Sequence, residues 1–311
     1  MRIVFAGTPL PAVPSLRAIA ASRHDLVGVV TRTDAPLGRK RILTPSPVAA
    51  LAAELGVTTI KTDRLDAHAT HAVTDLAPDL GVIVAYGGLV REPLLATPRH
   101  GWINLHFSLL PRWRGAAPVQ HALIAGDTVT GASVFRLVAE LDAGDVFGEV
   151  RYSVPRGATA GDVLDALADV GAALLVDVVD AIAAGTAVAR PQSGEHTLAP
   201  KLTLADGALD FRVPADTVIH RFRGTTPEPG AHTSVGGQRL KILAAHRGPD
   251  TDLAPGALSL IERDVVVGTA AGTVLLQTVQ PAGKGPMAAA DWWRGLRLDD
   301  PRVDTAPEVR A

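Results

Sequence analysis

Short apolar runs rich in β-branched residues alternate with helical patterns through the first half of the chain. Arg2–Ala6, Leu26–Thr31, Thr58–Lys61, Leu80–Tyr86 and Trp102–His106 have the composition of buried strands. Between them Pro14–Ala21, Pro47–Leu55, Arg64–Leu76 and Glu92–Ala96 have the pattern of helices. Strands apolar on both faces and separated by helices predict a parallel sheet covered on each side. Ala132–Val138 and Val146–Val154 continue as strands. Ala160–Ala184 then reads as one long helix, with Val163, Leu167, Val170, Leu174 and Val178 recurring at helical spacing.

The pattern changes over residues 189–204. Ala189-Arg190-Pro191-Gln192-Ser193-Gly194-Glu195 is polar and rich in breakers, as a linker is. Beyond residue 205, strands at Ala231–Val235, Arg239–Ala245, Ala257–Ile261, Val265–Thr269 and Thr273–Val279 follow turn signals, the spacing of a small barrel of oligonucleotide-binding (OB) type. The expected organisation is an α/β domain over 1–188, a linker over 189–204 and an OB-like β-barrel domain over 205–311.

Composition narrows the function. With 311 residues, 47% of them apolar, the chain can bury two cores. A net charge of -2 leaves no global basic excess, so a nucleic-acid partner has to be held by a local patch. The absence of cysteine removes disulfides, thiolate catalysis and cysteine-ligated metal sites. His68 and His71 share a helical face, but solvated histidines at that spacing are an ordinary surface feature, and no metal is expected. The opening apolar run is too short for a signal peptide, and the stretch nearest in character to a membrane span, Val163–Ala184, is broken by Asp165, Asp169, Asp177 and Asp180. A cytoplasmic, monomeric protein with no membrane contact is expected.

Candidate chemistry sits on the strand ending at His106. In extended backbone Asn104, His106 and Ser108 share one face, opposite Ile103, Leu105 and Phe107. Polar residues at the carboxyl end of a buried strand fall where open α/β sheets place their ligands, although a histidine satisfied by local hydrogen bonds gives the same pattern. Leu141-Asp142-Ala143-Gly144-Asp145 is a second candidate; by itself it also has the composition of a turn. Gly7-Thr8-Pro9 after the first strand lacks the G-x-G-x-x-G spacing of a dinucleotide site.

The run Asn104-Leu105-His106-Phe107-Ser108-Leu109-Leu110-Pro111-Arg112-Trp113-Arg114-Gly115-Ala116-Ala117-Pro118 resembles the signature of the formyltetrahydrofolate-dependent formyltransferases. Phe5-Ala6-Gly7-Thr8-Pro9, Pro45-Ser46-Pro47-Val48, Ala85-Tyr86-Gly87, Leu141-Asp142-Ala143-Gly144-Asp145 and Gln280-Pro281-Ala282-Gly283-Lys284 match the same family in order. The resemblance implies a Rossmann-like formyltransferase domain followed by an OB-like barrel. It also implies a co-substrate, 10-formyltetrahydrofolate, with no metal. Among family members the chain most resembles those whose acceptor is initiator methionyl-tRNA; a sugar-nucleotide or other small amine is the alternative acceptor.

Carried over residue by residue, the family's catalytic asparagine, histidine and aspartate fall on Asn104, His106 and Asp142. Its folate-contacting residues fall on Ser108, Leu109, Leu110 and Pro111, with Ala85, Tyr86 and Gly87 lining the same cleft. Acyl transfer to an amine needs an oxyanion stabilised and a proton removed. Asn104 and His106 are expected to donate to the oxyanion, and Asp142 to orient His106 and raise its pKa above the ordinary ~6.5. Arg32, Arg39, Lys40 and Arg41 form a basic cluster resembling the family's tRNA-contacting loop, with Arg39 at its key position. Arg39, Lys40, Arg41, Arg112 and Arg114 are the expected tRNA contacts. Phe107 and Lys40 depart from the family pattern, which favours a small residue and a glycine there.

Overall fold

The computed structural model describes residues 1–38 and 40–304. The chain gathers into two compact units. One comprises Met1–Pro118, Val129–Ser153 and Leu164–Pro200; the other comprises Val119–Thr128, Val154–Val163 and the chain from Lys201 onward.

The first unit begins with β1 (Arg2–Gly7), α1 (Val13–Ala21), β2 (Asp25–Thr31), β3 (Ala35–Leu37) and β4 (Ile42–Thr44). It continues through α2 (Pro47–Glu54), β5 (Thr59–Lys61), α3 (Ala67–Asp75), β6 (Leu80–Val84) and β7 (Trp102–His106). Helix α4 (Pro118–Ile124), which belongs to the second unit from Val119 on, leads to β8 (Val129–Arg136) and β9 (Val146–Ser153), and α5 (Ala160–Ala184) belongs to the first unit from Leu164 on. Seven strands make one sheet in the order β5-β2-β1-β6-β7-β8-β9. The first five run parallel, whereas β8 and β9 each pair antiparallel with the preceding strand. The predicted parallel sheet thus holds for five strands. β8 alone runs against the other six strands; one loop joins it directly to β9, and a direct return makes an antiparallel pair.

The sheet is buried for the reason its composition suggested. Ile3, Val4, Phe5 and Ala6 of β1 are all buried, so both faces of the strand are covered. Trp102 lies flat over Gly81, where a β-carbon would stand 2.1 Å from the indole, and its Nε1 donates to the Leu94 carbonyl at 2.9 Å. Ser46 caps α2 by accepting the Ala49 amide at 3.0 Å, and Asp66 caps α3 by accepting that of Ala69 at 3.0 Å. Asp66 thereby sets the start of α3 three residues beyond the predicted Arg64. Helix α5 buries Leu167, Ala168, Ala172, Leu175 and Val179, while Val170, expected on that face, is 37% exposed.

β1 passes to β2 on one side and is flanked by β6 on the other. Order reverses there, which opens a crevice at the carboxyl ends of β1, β6 and β7.

The second unit holds α6 (Ala215–Gly224), β10 (His232–Val235), β11 (Gln238–Arg247), β12 (Leu258–Ile261), β13 (Asp264–Gly268), β14 (Thr273–Pro281), β15 (Met287–Ala288) and α7 (Ala289–Gly295). The sheet order is β10-β11-β14-β13-β12, with β15 on β14. Register shifts near Ile242, Ala244 and Ala245 bend β11, so the antiparallel sheet curls into an OB-like half-barrel. Val218 and Phe222 of α6 fill its concave core with Leu240, Ile242, Val265, Val267, Val274 and Leu276.

Candidate active site

β7 delivers the polar face that its alternation predicted. Asn104 pairs across to Ile83 on β6 and Phe135 on β8, and His106 pairs with Ser133. The Asn104 carboxamide has no hydrogen-bond partner among the described residues and lines a cavity of about 800 Å³.

The His106 ring is 6% exposed and stands edge-on to Phe135, centroids 6.3 Å apart. Its Nε2 lies 2.8 Å from the Trp113 carbonyl, which can only accept, so the hydrogen sits on Nε2. Nδ1 is left facing Asp142, whose Oδ2 is 3.8 Å away. Burial pushes the His106 pKa below its ordinary 6.5, against the opposing pull of the Asp142 charge and the Trp113 carbonyl. The sequence expectation of a raised pKa is therefore corrected: Asp142 acts in the expected direction, but desolvation of a ring with almost no water around it is larger.

Asp142 sits on the β8–β9 loop in left-handed backbone with φ +47°, a conformation aspartate tolerates. Two residues on, Gly144 is required by space, since a β-carbon there would lie 1.8 Å from the Arg136 carbonyl. Asp142 Oδ2 accepts the Gly115 amide at 2.8 Å. The Gln192 carboxamide donates to the main-chain carbonyls of Asp142 at 2.7 Å and Gly144 at 2.9 Å. Arg114 in turn donates to Gln192 Oε1 from Nε at 3.1 Å and Nη2 at 2.7 Å, and its Nη1 stands 3.5 Å from Glu140.

Residues 192–199 therefore run along the site. Trp113 N donates to Thr197 Oγ1 at 2.9 Å, Arg114 N to Thr197 O at 2.8 Å, and Ala199 N to Arg114 O at 2.7 Å. These bonds fix the turn that aims the Trp113 carbonyl at His106. Nothing in the local pattern around Gln192 signalled that role.

Asn104, His106 and Asp142 line the cavity together with Ala85, Tyr86 and Gly87, as expected. Ser108, Leu109, Leu110 and Pro111 do not line it. Ser108 is buried and donates to the Arg112 carbonyl at 2.6 Å, and the Leu110 amide donates to Ser133 Oγ at 3.2 Å. This segment braces the turn behind the site. The walls that the sequence did not signal are Leu89–Glu92 with Leu95, and Leu137–Leu141, whose Leu89 and Leu141 leave large apolar surface exposed. Two glycines and a leucine after a strand are the only trace of the first wall in the sequence. Phe107 is nearly buried and packs into the cavity lining.

Of the expected tRNA contacts, Lys40 and Arg41 are exposed on the β3–β4 hairpin, and Arg39 lies outside the described residues. Arg112 is exposed, its guanidinium 5.2 Å from the Trp113 ring centre. Arg114 is different: its side chain is 12% exposed and is engaged by Gln192 and Glu140. Among the described residues no helix is long and apolar enough to cross a membrane.

A Rossmann-like sheet with a carboxyl-end cavity holding this polar trio, followed by an OB-like half-barrel, defines a formyl transferase. Residues 1–179 match the formyl transferase family model, and residues 201–297 match that of the formyl transferase C-terminal domain. The methionyl-tRNA formyltransferase of Clavibacter sepedonicus is 61% identical across 96% of this chain and 99% of its own length. This chain belongs to the methionyl-tRNA formyltransferase family. Among solved structures, the methionyl-tRNA formyltransferase from Clostridium thermocellum superposes with a TM-score of 0.58 at 16% identity, covering 80% of this chain and 94% of that one. WlaRD, a sugar 3N-formyl transferase solved in the presence of dTDP and 5-N-formyl-THF, superposes with a TM-score of 0.69 at 13% identity, covering 92% of this chain and 99% of that one. At those identities the likeness is one of fold.

Proposed function

We propose that this protein acts in the cytoplasm, moving the formyl group of 10-formyltetrahydrofolate to the amino group of methionine on initiator methionyl-tRNA. Asn104, His106 and Asp142 form the chemical centre. The observation that carries this reading is the meeting of those three side chains in one cavity, in a chain related along 96% of its length to a methionyl-tRNA formyltransferase.

The cavity suits a folate. Its volume of about 800 Å³ and its walls of Ile83, Leu89, Val90, Leu137, Val138 and Leu141 fit a flat heterocycle with an extended arm. Ala85, Tyr86 and Gly87 supply the turn against which the co-substrate lies, and Ser108–Pro111 hold the site's shape from behind.

In the proposed step the methionine amine attacks the formyl carbon, forming a C–N bond and pushing an electron pair onto the formyl oxygen. The free Asn104 carboxamide donates a hydrogen bond to that oxyanion. Neutral His106 takes the ammonium proton at Nδ1, the nitrogen not tied to Trp113, directly or through one water. The imidazolium so formed is stabilised by Asp142 and donates to the oxyanion in its turn. Collapse breaks the bond between the formyl carbon and folate N10, and N10 receives the proton from His106. A histidine whose pKa lies below 6.5 is neutral at physiological pH and ready for this role.

On this reading residues 1–188 carry out the chemistry, while 205–311 and the basic hairpin hold RNA, with Arg39, Lys40, Arg41 and Arg112 as phosphate contacts. Within 201–247, seven Lys or Arg face four Asp or Glu, so RNA binding should be patch-like and salt-sensitive. Formylation of charged initiator tRNA, assayed beside an amino-sugar nucleotide with the same formyl donor, tests the proposal. Turnover of the sugar nucleotide without turnover of the tRNA would overturn the acceptor assignment.

A further inference from the structure

One guanidinium joins the hairpin to the cavity. Arg32 follows the last residue of β2, three positions before the hairpin begins at Ala35. Its Nη2 donates to the Gly87 carbonyl at 2.6 Å, on the turn after β6 that lines the cavity. Its Nη1 donates to the Asp63 carbonyl at 2.6 Å, on the loop after β5. The guanidinium lies over the Tyr86 ring, 5.6 Å from its centre. β1 separates β2 from β6, so this single half-buried side chain spans three carboxyl-end loops of the sheet.

The surrounding bonds close the network. The Asp63 carboxylate accepts from the Thr33 hydroxyl at 2.7 Å, and the Tyr86 hydroxyl donates to the Thr62 carbonyl at 3.3 Å. Lys61 forms a separate ion pair with Asp34 at 2.7 Å, which holds the root of the hairpin without touching the Gly87 turn. Gly87 has φ +75°, left-handed backbone that glycine adopts without strain, and its carbonyl is held by Arg32.

We propose that Arg32 is a positioning residue that sets the hairpin root and the Gly87 turn in one register, so that a single side chain prepares the tRNA side and the folate side together. This rests on the acceptor and co-substrate reading above. The planar fork matters because it reaches two carbonyls and stacks on a ring at once, which an ammonium cannot do.

The test is a pair of binary dissociation constants measured separately: 5-formyltetrahydrofolate without tRNA, and initiator methionyl-tRNA without folate. Arg32→Ala is expected to weaken each by roughly tenfold, about 1.4 kcal/mol per constant. Lys61→Ala is expected to weaken tRNA binding alone. Arg32→Lys should recover at most one of the two constants. Thermal melts and circular dichroism keep the comparison to folded protein; if Arg32→Ala does not fold, Arg32→Gln takes its place. A change in only one constant, or in neither, overturns the proposal. If the wild-type chain binds neither ligand, the functional reading itself has failed, a result distinct from the loss seen only in the variant.

Discussion

His106 Nδ1 stands 3.8 Å from Asp142 Oδ2, outside direct hydrogen-bond reach, while the same oxygen accepts the Gly115 amide at 2.8 Å. The carboxylate is thus anchored to the backbone and acts on the imidazole mainly through its charge. The ring is held by its other nitrogen on the Trp113 carbonyl. This arrangement keeps Nδ1 available to a third group, which a tight His–Asp bond would not.

The pH dependence follows from that geometry. Burial lowers the His106 pKa, so the neutral form persists below the ordinary 6.5, and activity should fall only as pH drops through the lowered value. Asp142 opposes the shift; Asp142→Asn removes that opposition and lowers the pKa further. The acid limb of kcat/KM should therefore move to lower pH in Asp142→Asn, alongside a loss of rate. An acid limb that moves upward contradicts the assignment of Asp142 as the charge that favours imidazolium.

Asn104→Ala removes the one cavity amide with no partner among the described residues. Turnover should fall on the order of 100- to 1000-fold with KM for the formyl donor changed only slightly, as for loss of an oxyanion donor. Steady-state kinetics with both substrates varied distinguish this from a binding defect, in which KM rises and kcat is kept.

Gln192 joins the Asp142 loop to Arg114 through four hydrogen bonds. Gln192→Ala leaves two carbonyls and the largely buried Arg114 guanidinium short of partners, at about 1–3 kcal/mol for each buried group left unsatisfied. Urea denaturation should show a loss of stability of that order, and kcat should fall because Asp142 and Trp113 lose their brace. Unchanged stability together with unchanged kcat would remove residues 192–199 from the account of the site.

Gly81→Ala is predicted to destabilise the first unit. The new β-carbon would meet the Trp102 indole at 2.1–2.6 Å, with the indole already pinned by its bond to Leu94. Overpacking of this kind costs roughly 1–3 kcal/mol, which a thermal melt detects; a melt identical to wild type would mean the indole can shift freely.

Much of the fold was legible because burial is periodic. β7 and α5 fall on the predicted Trp102–His106 and Ala160–Ala184, where a strand's alternation and a helix's spacing carry through the whole segment. Glu92–Ala96, read as a helix, is only a tight turn at Leu94–Ala96, because five residues cannot repay helix nucleation. The α4, α6 and α7 helices escaped notice. Arg221 and Arg223 interrupt the apolar pattern of α6 while making bonds elsewhere in their own unit. The β3–β4 hairpin carries Pro36 within β3 and Gly38 beside it, residues that signal a loop from sequence and an edge hairpin in space.

The candidate site was legible where a strand's alternation departs from burial, at Asn104 and His106. Asp142 needed the fold to bring it beside them. Gln192, Arg32 and the Leu137–Leu141 wall were illegible because their roles depend on which loops meet, and loop meetings leave no period in a sequence.

The proposed transfer of a proton by His106 at the reacting amine is tested most directly by single-turnover formyl transfer to initiator methionyl-tRNA with donor and enzyme saturating. His106→Gln should slow that step by at least about 100-fold while leaving the binding of both substrates within about threefold of wild type. A single-turnover rate within about threefold of wild type would contradict the account.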